Sequence, residues 1–263
     1  MSDSMVRVDR QGEVGTILLD RPGKLNAFAG EMRDMVGDAV EQLGGDPSIR
    51  AIVITGEGRG FCAGADIDYL HELVAEGNAR DFQRLLEAGE RVVQEIRAAE
   101  KPVVAAINGP AAGGGANLAL ACDLRIMADT ASIGQTFVRI GLHPDWGGTF
   151  LLPRLVGASR ALELMWSGRM VGAEEALAIG LVNRVVPAAS IRVDAMAWAR
   201  QLAAAPPLAA ARIKRAVQES LDRDLETMLA IELENQLVCF ESQDVKRGLF
   251  AFSGKETPRF EGN

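Results

Sequence analysis

Three short glycine-rich turns in this chain follow apolar runs and could place backbone amides against a ligand. They lie at 56–60 (GEGRG), 63–66 (AGAD) and 113–115 (GGG). Glycine lets the backbone approach a ligand closely, and N–H groups at a helix start attract negative charge. Two such N–H groups from separate turns could stabilise one developing oxyanion. Spacing alone favours ordinary turns, and it disfavours a dinucleotide site because neither GEGRG nor GGG has the GxGxxG spacing before a helix.

A candidate acid or base is Asp145, which lies in the segment GLHPDWGG. An aspartate after proline and before a predicted helix is typical of an N-cap, and the pattern alone favours this interpretation. His143 is close in sequence, but a lone loop histidine is more often solvated than catalytic. Asp66 and Asp68 follow the second glycine turn and are expected to cap a helix and support that turn. Asp123 is expected to fix the start of a strand.

Alternating strands and helices are predicted to position these residues. Apolar runs bounded by glycine or proline predict buried strands, and apolar residues at spacings of three and four predict helices. The predicted strands are Val14–Leu19, Ala51–Thr55, 103–107 (VVAAI) and Asp123–Ala128, and the predicted helices cover 32–43 and roughly 66–99. This alternation indicates an α/β fold with right-handed crossovers.

From Ala158 onward the pattern changes to helices. The segments ALELMW and AEEALAIG, residues 191–204 and most of 207–252 have helical spacing. We therefore expect an α/β core over residues 1–190 and a helical C-terminal region over 191–263. No internal repeat or low-complexity linker separates the two parts of the sequence.

The composition disfavours several classes of protein. The 263 residues carry a net charge of −8, which argues against binding to nucleic acid or to an anionic membrane. Three scattered cysteines predict no disulfide framework, and with only two histidines a zinc site is not expected. The N-terminal residues MSDSMVRVDRQGEVG lack the basic start and apolar stretch of a signal peptide, so we expect a cytoplasmic protein.

One segment has the length of a membrane span. Residues 102–122 carry no charge over 21 positions, about what a bilayer requires. The segment also contains Pro110 and the glycine triplet, which a spanning helix would not favour. We therefore interpret it as a buried strand, a turn and a helix.

Five segments resemble, in the same order, those of the crotonase (enoyl-CoA hydratase/isomerase) superfamily. They are LDRPGKLNAF, GEGRGFCAGADI, KPVVAAINGPAAGGGANLALACDLRIMA, FVRIGLHPDWGGTFLLPRLVG and GLFAFSGKETPRF, and the similarity extends from about residue 6 to residue 260. The resemblance implies a crotonase fold, a spiral of ββα units with a helical C-terminal trimerisation region. It also implies an acyl-CoA substrate, with coenzyme A arriving as part of the substrate and no cofactor bound permanently.

The resemblance assigns the two amides of an oxyanion hole to Ala65 and Gly114. Removing the α-proton of a thioester places charge on its oxygen, and two fixed N–H donors would each contribute several kcal/mol. Hydratases of the family use two glutamates to hold and split a water molecule. The corresponding positions in this chain are Asn117 and Phe137. Neither side chain can take a proton, so hydration by that mechanism is not expected.

The resemblance also changes the interpretation of Asp145. Family isomerases of the 2-(1,2-epoxy-1,2-dihydrophenyl)acetyl-CoA type carry their catalytic aspartate at this position, and they share the run GANLALACD. Leu142, Trp146 and Phe150 are close in sequence and could desolvate the carboxylate and raise its pKa. A single carboxylate suits isomerisation, because the proton taken from C2 can be returned at C4 without activating water.

Further contacts with the substrate follow from the resemblance. The residues expected to receive the adenine and pantetheine are Gly23, Lys24 and Leu25. Further residues expected to contact the substrate are Ala63, Asp66, Ile67, Asn117 and Phe137. Phe252 and Lys255 are expected to lie against the nucleotide, which in this family is often bound by a neighbouring subunit. Lys255 would suit a phosphorylated ligand electrostatically, and a solvated lysine in the C-terminal tail is the alternative.

The leading hypothesis is an enoyl-CoA isomerase that converts a 3-enoyl or ring-derived acyl-CoA through a thioester enolate, in fatty-acid or phenylacetate-type catabolism. One alternative is an enoyl-CoA hydratase that uses Asp145 and an ordered water. Another is an acyl-CoA-binding protein without turnover, which the absence of both glutamates would permit. The expected assembly is a homotrimer or homohexamer, with an acyl-CoA thioester as ligand and no nucleic acid or membrane partner.

Overall fold

The two central strands of the main sheet form where the sequence is almost continuously apolar. The computed structural model describes residues 4–263. Residues 1–3 lie outside the described residues; they are the first residues of the predicted α/β core and of the N-terminal segment in which no signal peptide is expected. The six-stranded sheet has the order β1-β2-β3-β4-β6-β9, and all neighbours are parallel except β1 and β2. Its strands are β1 (Val6–Gln11), β2 (Val14–Leu19), β3 (Ala51–Gly56), β4 (Val103–Ile107), β6 (Leu124–Ala128) and β9 (Arg184–Val186). Every residue of β3 and β4 is buried, as central parallel strands require.

A second, three-stranded sheet was not predicted. It has the order β5-β7-β8, with β5 (Ala111–Ala112), β7 (Ser132–Gly134) and β8 (Met170–Gly172). Strands of two or three residues are too short to show any periodicity in the sequence. An isolated bridge between Cys62 and Ala111 joins this sheet to the loop that contains the second glycine turn.

The helices of the first two thirds of the chain cover the sheet. They are α1 (Met32–Gly45), α2 (Ile67–Ala75), α3 (Ala79–Ala98), α4 (Gly114–Ala121), α5 (Gly148–Val156), α6 (Ala158–Ser167) and α7 (Ala173–Ala178). The stretch predicted over roughly 66–99 is helical, but it is divided into two separate helices, α2 and α3. Gly77 breaks the helix with φ +63°, and the side chain of Asn78 caps α3 by accepting from the Asp81 N–H at 3.1 Å.

The C-terminal region is helical, as predicted. It consists of α8 (Ile191–Ala203), α9 (Pro207–Glu219), α10 (Leu225–Glu241) and α11 (Gln243–Gly254). The first of these packs on β3, β4 and β6 through Ala195, Trp198 and Ala199, so the hydrophobic core continues past residue 190. In contrast, α10 buries only Met228.

The uncharged segment 102–122 forms strand β4, the short strand β5 and helix α4, which confirms the predicted strand, turn and helix. Helix α4 has eight residues, far short of a bilayer span. Over residues 4–263, no helix is both long and apolar enough to cross a membrane.

Candidate active site

A buried asparagine joins the first two loops of the site. Asn26 has no exposed surface, and its side chain accepts from the Arg21 N–H at 2.8 Å. The same side chain donates to the carbonyls of Glu57 at 3.0 Å and Gly60 at 2.8 Å. These partners lie more than 30 positions away along the chain, which is why sequence reasoning missed this residue. The hydrogen bonds fix the loop after β2 against the loop after β3.

The amide of Ala65 lies free between two hydrogen bonds. Phe28 donates its N–H to the carbonyl of Gly64 at 2.7 Å and accepts from the Asp66 N–H at 3.0 Å. The intervening Ala65 N–H has no backbone acceptor within residues 4–263. Gly64 has φ +89°, and a Cβ built there would lie 2.7 Å from the Ala112 carbonyl, so only glycine fits.

The amide of Gly114 is also free, and it lies close to the same turn. Gly114 is the first residue of α4, and the residue before it, Gly113, has φ +53°. No backbone acceptor within residues 4–263 takes the Gly114 N–H. A Cβ built on Gly64 would lie 3.4 Å from the Gly114 nitrogen, so the two turns meet. Two unpaired amides from separate turns therefore approach one region, which is the arrangement expected of an oxyanion hole.

Asp145 does not cap a helix, so the interpretation favoured by pattern alone is wrong. Helix α5 begins three residues later, at Gly148, and its N-cap is Gly147 in the left-handed region. The Asp145 carbonyl accepts from the Asn117 Nδ2 at 2.8 Å and from the Gly148 N–H at 2.9 Å. The carboxylate oxygen Oδ1 is buried and has no hydrogen-bond partner. A carboxylate held by its main chain with a free side chain can exchange a proton with a ligand.

Asn117 and Phe137, which the resemblance places where hydratases carry glutamates, have structural contacts of their own. Asn117 is fully buried, and its Oδ1 accepts from Gln135 Nε2 at 2.7 Å while its Nδ2 holds the Asp145 carbonyl. Phe137 is buried, and its ring would lie 3.7 Å from a Cβ built on Gly113. Neither side chain offers a proton acceptor that could act beside Asp145.

Trp146 packs the Asp145 turn against the rest of the site. Its ring stacks on Phe28 with centroids 4.8 Å apart and an interplanar angle of 19°. The indole leaves no room for a side chain on α3 at Gly89, where a Cβ would overlap the indole nitrogen. The same indole nitrogen would lie 3.6 Å from a Cβ on Gly114. Trp146 has φ +49°, a conformation that the sequence pattern did not indicate.

Of the three residues predicted to desolvate Asp145, Phe150 does not. Its ring lies 3.4 Å from the Arg154 guanidinium and lines a separate cleft between α5 and α9. Trp146, next to Asp145, is buried as predicted. Leu142 lines the cleft described below. Two of the three residues predicted to desolvate Asp145, Trp146 and Leu142, therefore lie in the part of the structure around it.

Burial raises the pKa of the Asp145 carboxyl to about 6, and the charges of Arg33 and His143 partly offset that increase. The pKa of an aspartate in water is about 3.9, so this carboxylate is a stronger base than an exposed one. It is still mainly ionised at neutral pH. A base with these properties suits proton abstraction next to a thioester.

This pKa predicts the acid side of the pH profile. Because the base must be ionised, kcat/KM should fall by about tenfold per pH unit below pH 6 and level off above it. The rates of enoyl-CoA conversion between pH 4.5 and 8 would measure this. A profile that falls only below about pH 4 would show that the titrating group is an ordinary exposed carboxylate.

An apolar cleft of about 480 Å³ lies between α2, α3 and the loop before Asp145. Its apolar lining consists chiefly of Ile67, Leu70, Leu73, Val74, Phe82, Ile140 and Leu142. Ile67 follows the Ala65 turn closely and Leu142 precedes Asp145 by three residues. An acyl group that reaches from the free amides past Asp145 could therefore occupy this cleft.

Asp66 supports the second glycine turn, as expected. It caps α2 by accepting from the Asp68 N–H at 3.2 Å, and it pairs with Arg21 at 3.0 Å. Burial would raise the pKa of Asp66, but the hydrogen bond and charge of Arg21 dominate and lower it below the usual range. These contacts give Asp66 a structural role in the turn. Its expected contact with the substrate stays a prediction.

The residues expected to contact coenzyme A lie in two places. Gly23 and Lys24 lie in a 3-10 turn, and Leu25 follows with φ +49°, its carbonyl accepting from the Ala63 N–H at 2.9 Å. Exposed Lys24 pairs with Asp68 at 2.7 Å. Two further expected contacts lie at the other end of the chain, on or after α11: Phe252, which is 87% exposed, and Lys255.

Comparison with known proteins finds relatives over nearly the whole chain. The sequence profile described as enoyl-CoA hydratase/isomerase matches residues 9–263. The 1,2-epoxyphenylacetyl-CoA isomerase of Escherichia coli is 37% identical over 250 residues, covering 95% of each chain. The crotonyl-CoA hydratase of Syntrophomonas wolfei is 36% identical over 261 residues, covering 99% of each chain. The crystal structure of an enoyl-CoA hydratase from Bacillus anthracis has a TM-score of 0.93 at 34% identity, covering 99% of this chain and 100% of that chain, so the two proteins share one fold.

Proposed function

Because the chain belongs to the enoyl-CoA hydratase/isomerase family, the crotonase superfamily, we propose that it is an isomerase that shifts the double bond of an enoyl-CoA thioester. The observation that carries this proposal is the buried carboxylate oxygen of Asp145, which has no hydrogen-bond partner and lies on a turn that packs through Trp146 beside the unpaired amide of Gly114. Asn117 and Phe137 provide no second acid or base. Its expected setting, as a cytoplasmic enzyme of fatty-acid or phenylacetate-type catabolism, stays a prediction.

The proposed reaction needs only one proton carrier. Asp145 takes the proton from C2, and the electrons of that bond form the C1=C2 bond of an enolate, whose oxygen accepts from the N–H groups of Ala65 and Gly114. The electrons then return from the oxygen as the dienolate takes the proton from Asp145 at C4, which leaves the double bond between C2 and C3. Asp145 ends as a carboxylate, and the product is an isomer of the substrate.

Hydration is the alternative with support from the comparisons, since several similar proteins are named as enoyl-CoA hydratases, the crotonyl-CoA hydratase among them. Hydration of a 2-enoyl-CoA requires activation of water and protonation at C2. The position of one hydratase glutamate is Asn117, whose oxygen already accepts from Gln135 and whose nitrogen holds the Asp145 carbonyl. This arrangement favours isomerisation by a single carboxylate.

Ultraviolet spectroscopy of the thioester tests the proposal. A 3-enoyl-CoA that gains the absorbance of a conjugated thioester in the presence of the protein would support isomerisation. A 2-enoyl-CoA that loses this absorbance, with no conversion of the 3-enoyl substrate, would instead identify a hydratase. Tight binding of both thioesters without spectral change would identify an acyl-CoA-binding protein.

An apolar stripe on α10 supports the proposed homotrimer or homohexamer. Its residues recur about every four positions and are each at least 55% exposed: Leu225, Leu229, Leu233, Leu237 and Phe240. Such a stripe on a helix that buries one residue of its own chain is typical of a subunit interface. The coenzyme A contacts expected at Phe252 and Lys255 lie on or after the next helix, which would place them near a neighbouring subunit.

The double variant Leu229→Glu/Leu233→Glu should therefore reduce the assembly to monomers, because it places two charges in the apolar stripe. Light scattering at micromolar concentration would show a trimer or hexamer for the unmodified chain and about 28 kDa for the variant. The matched control is Val193→Glu on α8, an aliphatic residue with 71% exposure outside the stripe. A monomeric unmodified chain would contradict the proposed assembly.

A further inference from the structure

Unpaired buried polar atoms are concentrated around Asp145. Within residues 4–263, five buried side-chain nitrogen or oxygen atoms have no hydrogen-bond partner. Four of them belong to Arg33, Gln135 and Asp145, and the fifth belongs to Arg212. Gln135 is joined to the Asp145 turn through Asn117. Arg33, on α1, has no place in the proposed proton transfer.

Arg33 is an unusual component of a hydrophobic core. The residue is 5% exposed, and neither Nε nor Nη1 of its guanidinium has a partner. Burying an unpaired cation is costly, and an apolar side chain of similar size would leave the fold equally or more stable. Stability alone therefore does not explain an arginine at this position.

A series of ring contacts connects Arg33 with the Asp145 turn. The guanidinium carbon lies 5.2 Å from the centroid of the Phe28 ring, a cation–π distance. Phe28 in turn stacks on Trp146, the residue after Asp145. The main chain of Phe28 also holds Gly64 and Asp66 on both sides of the free Ala65 amide. The cation is thus packed against a residue that contacts both halves of the site.

Arg33 and Asp145 interact by charge without forming an ion pair. No nitrogen of the guanidinium lies within 4.0 Å of a carboxylate oxygen of Asp145, although each charge influences the ionisation of the other. The other charged group acting on Asp145 is His143, on its own loop, and the main-chain N–H of Asp145 itself also favours the ionised carboxylate. Arg33 is also within range of three further groups, the buried thiol of Cys62, Tyr69 on α2 and Asp34 on α1.

We propose that Arg33 is a positioning residue that keeps the Asp145 carboxylate ionised across a gap, without binding it. A direct ion pair would occupy the lone pairs that must receive the substrate proton. With no cation nearby, the apolar surroundings would favour the neutral acid, which cannot act as a base. The separated charge provides ionisation and leaves the carboxylate oxygens free. This inference rests on the proposed role of Asp145 as the base.

The test compares variants that remove or retain the charge. In Arg33→Met and Arg33→Gln, the pH below which kcat/KM falls should rise by at least about one unit. The reason is that a nearby opposite charge lowers a carboxyl pKa by about that much or more. Arg33→Lys should restore most of the original profile. At a pH high enough for Asp145 to be ionised in the variants, the KM for the 3-enoyl-CoA should change by less than about twofold, because Arg33 acts through Asp145 and does not contact the substrate.

A measurement on the free protein separates this inference from the proposed function. Infrared spectroscopy can follow the ionisation of Asp145 without substrate. The band to follow is the C=O stretch of a protonated carboxyl that is present in the unmodified chain and absent in Asp145→Asn. Its midpoint should rise in both neutral Arg33 variants even if the 3-enoyl-CoA is not a substrate. An unchanged midpoint in Arg33→Met and Arg33→Gln, or an equal shift in Arg33→Lys, would overturn the inference.

Discussion

Replacing Asp145 by asparagine should lower the isomerisation rate of a 3-enoyl-CoA by about two to four orders of magnitude, the usual contribution of a positioned general base. The amide has nearly the volume of the carboxyl group but cannot accept the C2 proton. Binding of the acyl-CoA should persist, because the two free amides and the apolar cleft are unchanged. The readouts are kcat from the ultraviolet assay and the dissociation constant of an unreactive acyl-CoA.

The same substitution should not harm the fold. The pKa of Asp145 in the folded chain, about 6, lies above its value in an unfolded chain, so the ionised carboxylate destabilises the folded state at pH 7. This cost decreases as the pH falls below 6 and disappears only well below pH 4, where the group is protonated in both the folded and the unfolded state. Asp145→Asn should therefore raise the free energy of unfolding by about 1–2 kcal/mol at pH 7.5, with the partial exposure of the group taken into account, and by less at pH 4.5.

Asn117→Ala provides the comparison for this variant. It removes one of the two donors to the Asp145 carbonyl and leaves the Gly148 N–H in place. We expect a much smaller loss of activity than for Asp145→Asn. If Asp145→Asn kept the turnover of the unmodified chain, Asp145 would not be the base and the proposed site would be wrong.

The difference between pattern and structure at Asp145 has a local physical cause. A proline followed by aspartate before a helix indicates an N-cap, but the pattern does not show where that helix begins. Trp146 and Gly147 both adopt positive φ, which delays the start of α5 to Gly148 and leaves the carboxylate free. The positive φ of Trp146 accompanies its contacts with Phe28 and Gly89, which are distant in the sequence.

The buried strands, the helical C-terminal region and the strand, turn and helix of residues 102–122 could be predicted because each depends on local patterns. Residues whose roles depend on long-range contacts could not. Asn26 looks like an ordinary turn residue in the sequence, although it connects two loops. Arg33 did carry a weak signal, since its spacing from Val36 and Val40 places a cation on the buried face of α1.

Gly114→Pro should lower kcat by about two to three orders of magnitude, because it removes one of the two amide donors that face the developing enolate oxygen. Proline is tolerated at the first residue of a helix, where its missing N–H has no helical partner, and Gly114 holds that place in α4. Circular dichroism and thermal unfolding would verify that the helix remains. The substitution therefore tests the hydrogen bond more than the fold.

Gly114→Ala is the matched control, because it adds a side chain and keeps the N–H. Its Cβ would lie 3.6 Å from the Trp146 indole nitrogen and 3.7 Å from the Phe28 ring, ordinary contact distances that require no movement. The alanine variant should retain kcat within about tenfold, so the difference between the two variants measures the lost donor. Since the enolate oxygen carries more charge than the thioester carbonyl, the proline variant should change kcat far more than the affinity for an unreactive acyl-CoA. Equal kcat values in the two variants would show that the Gly114 amide does not stabilise the enolate.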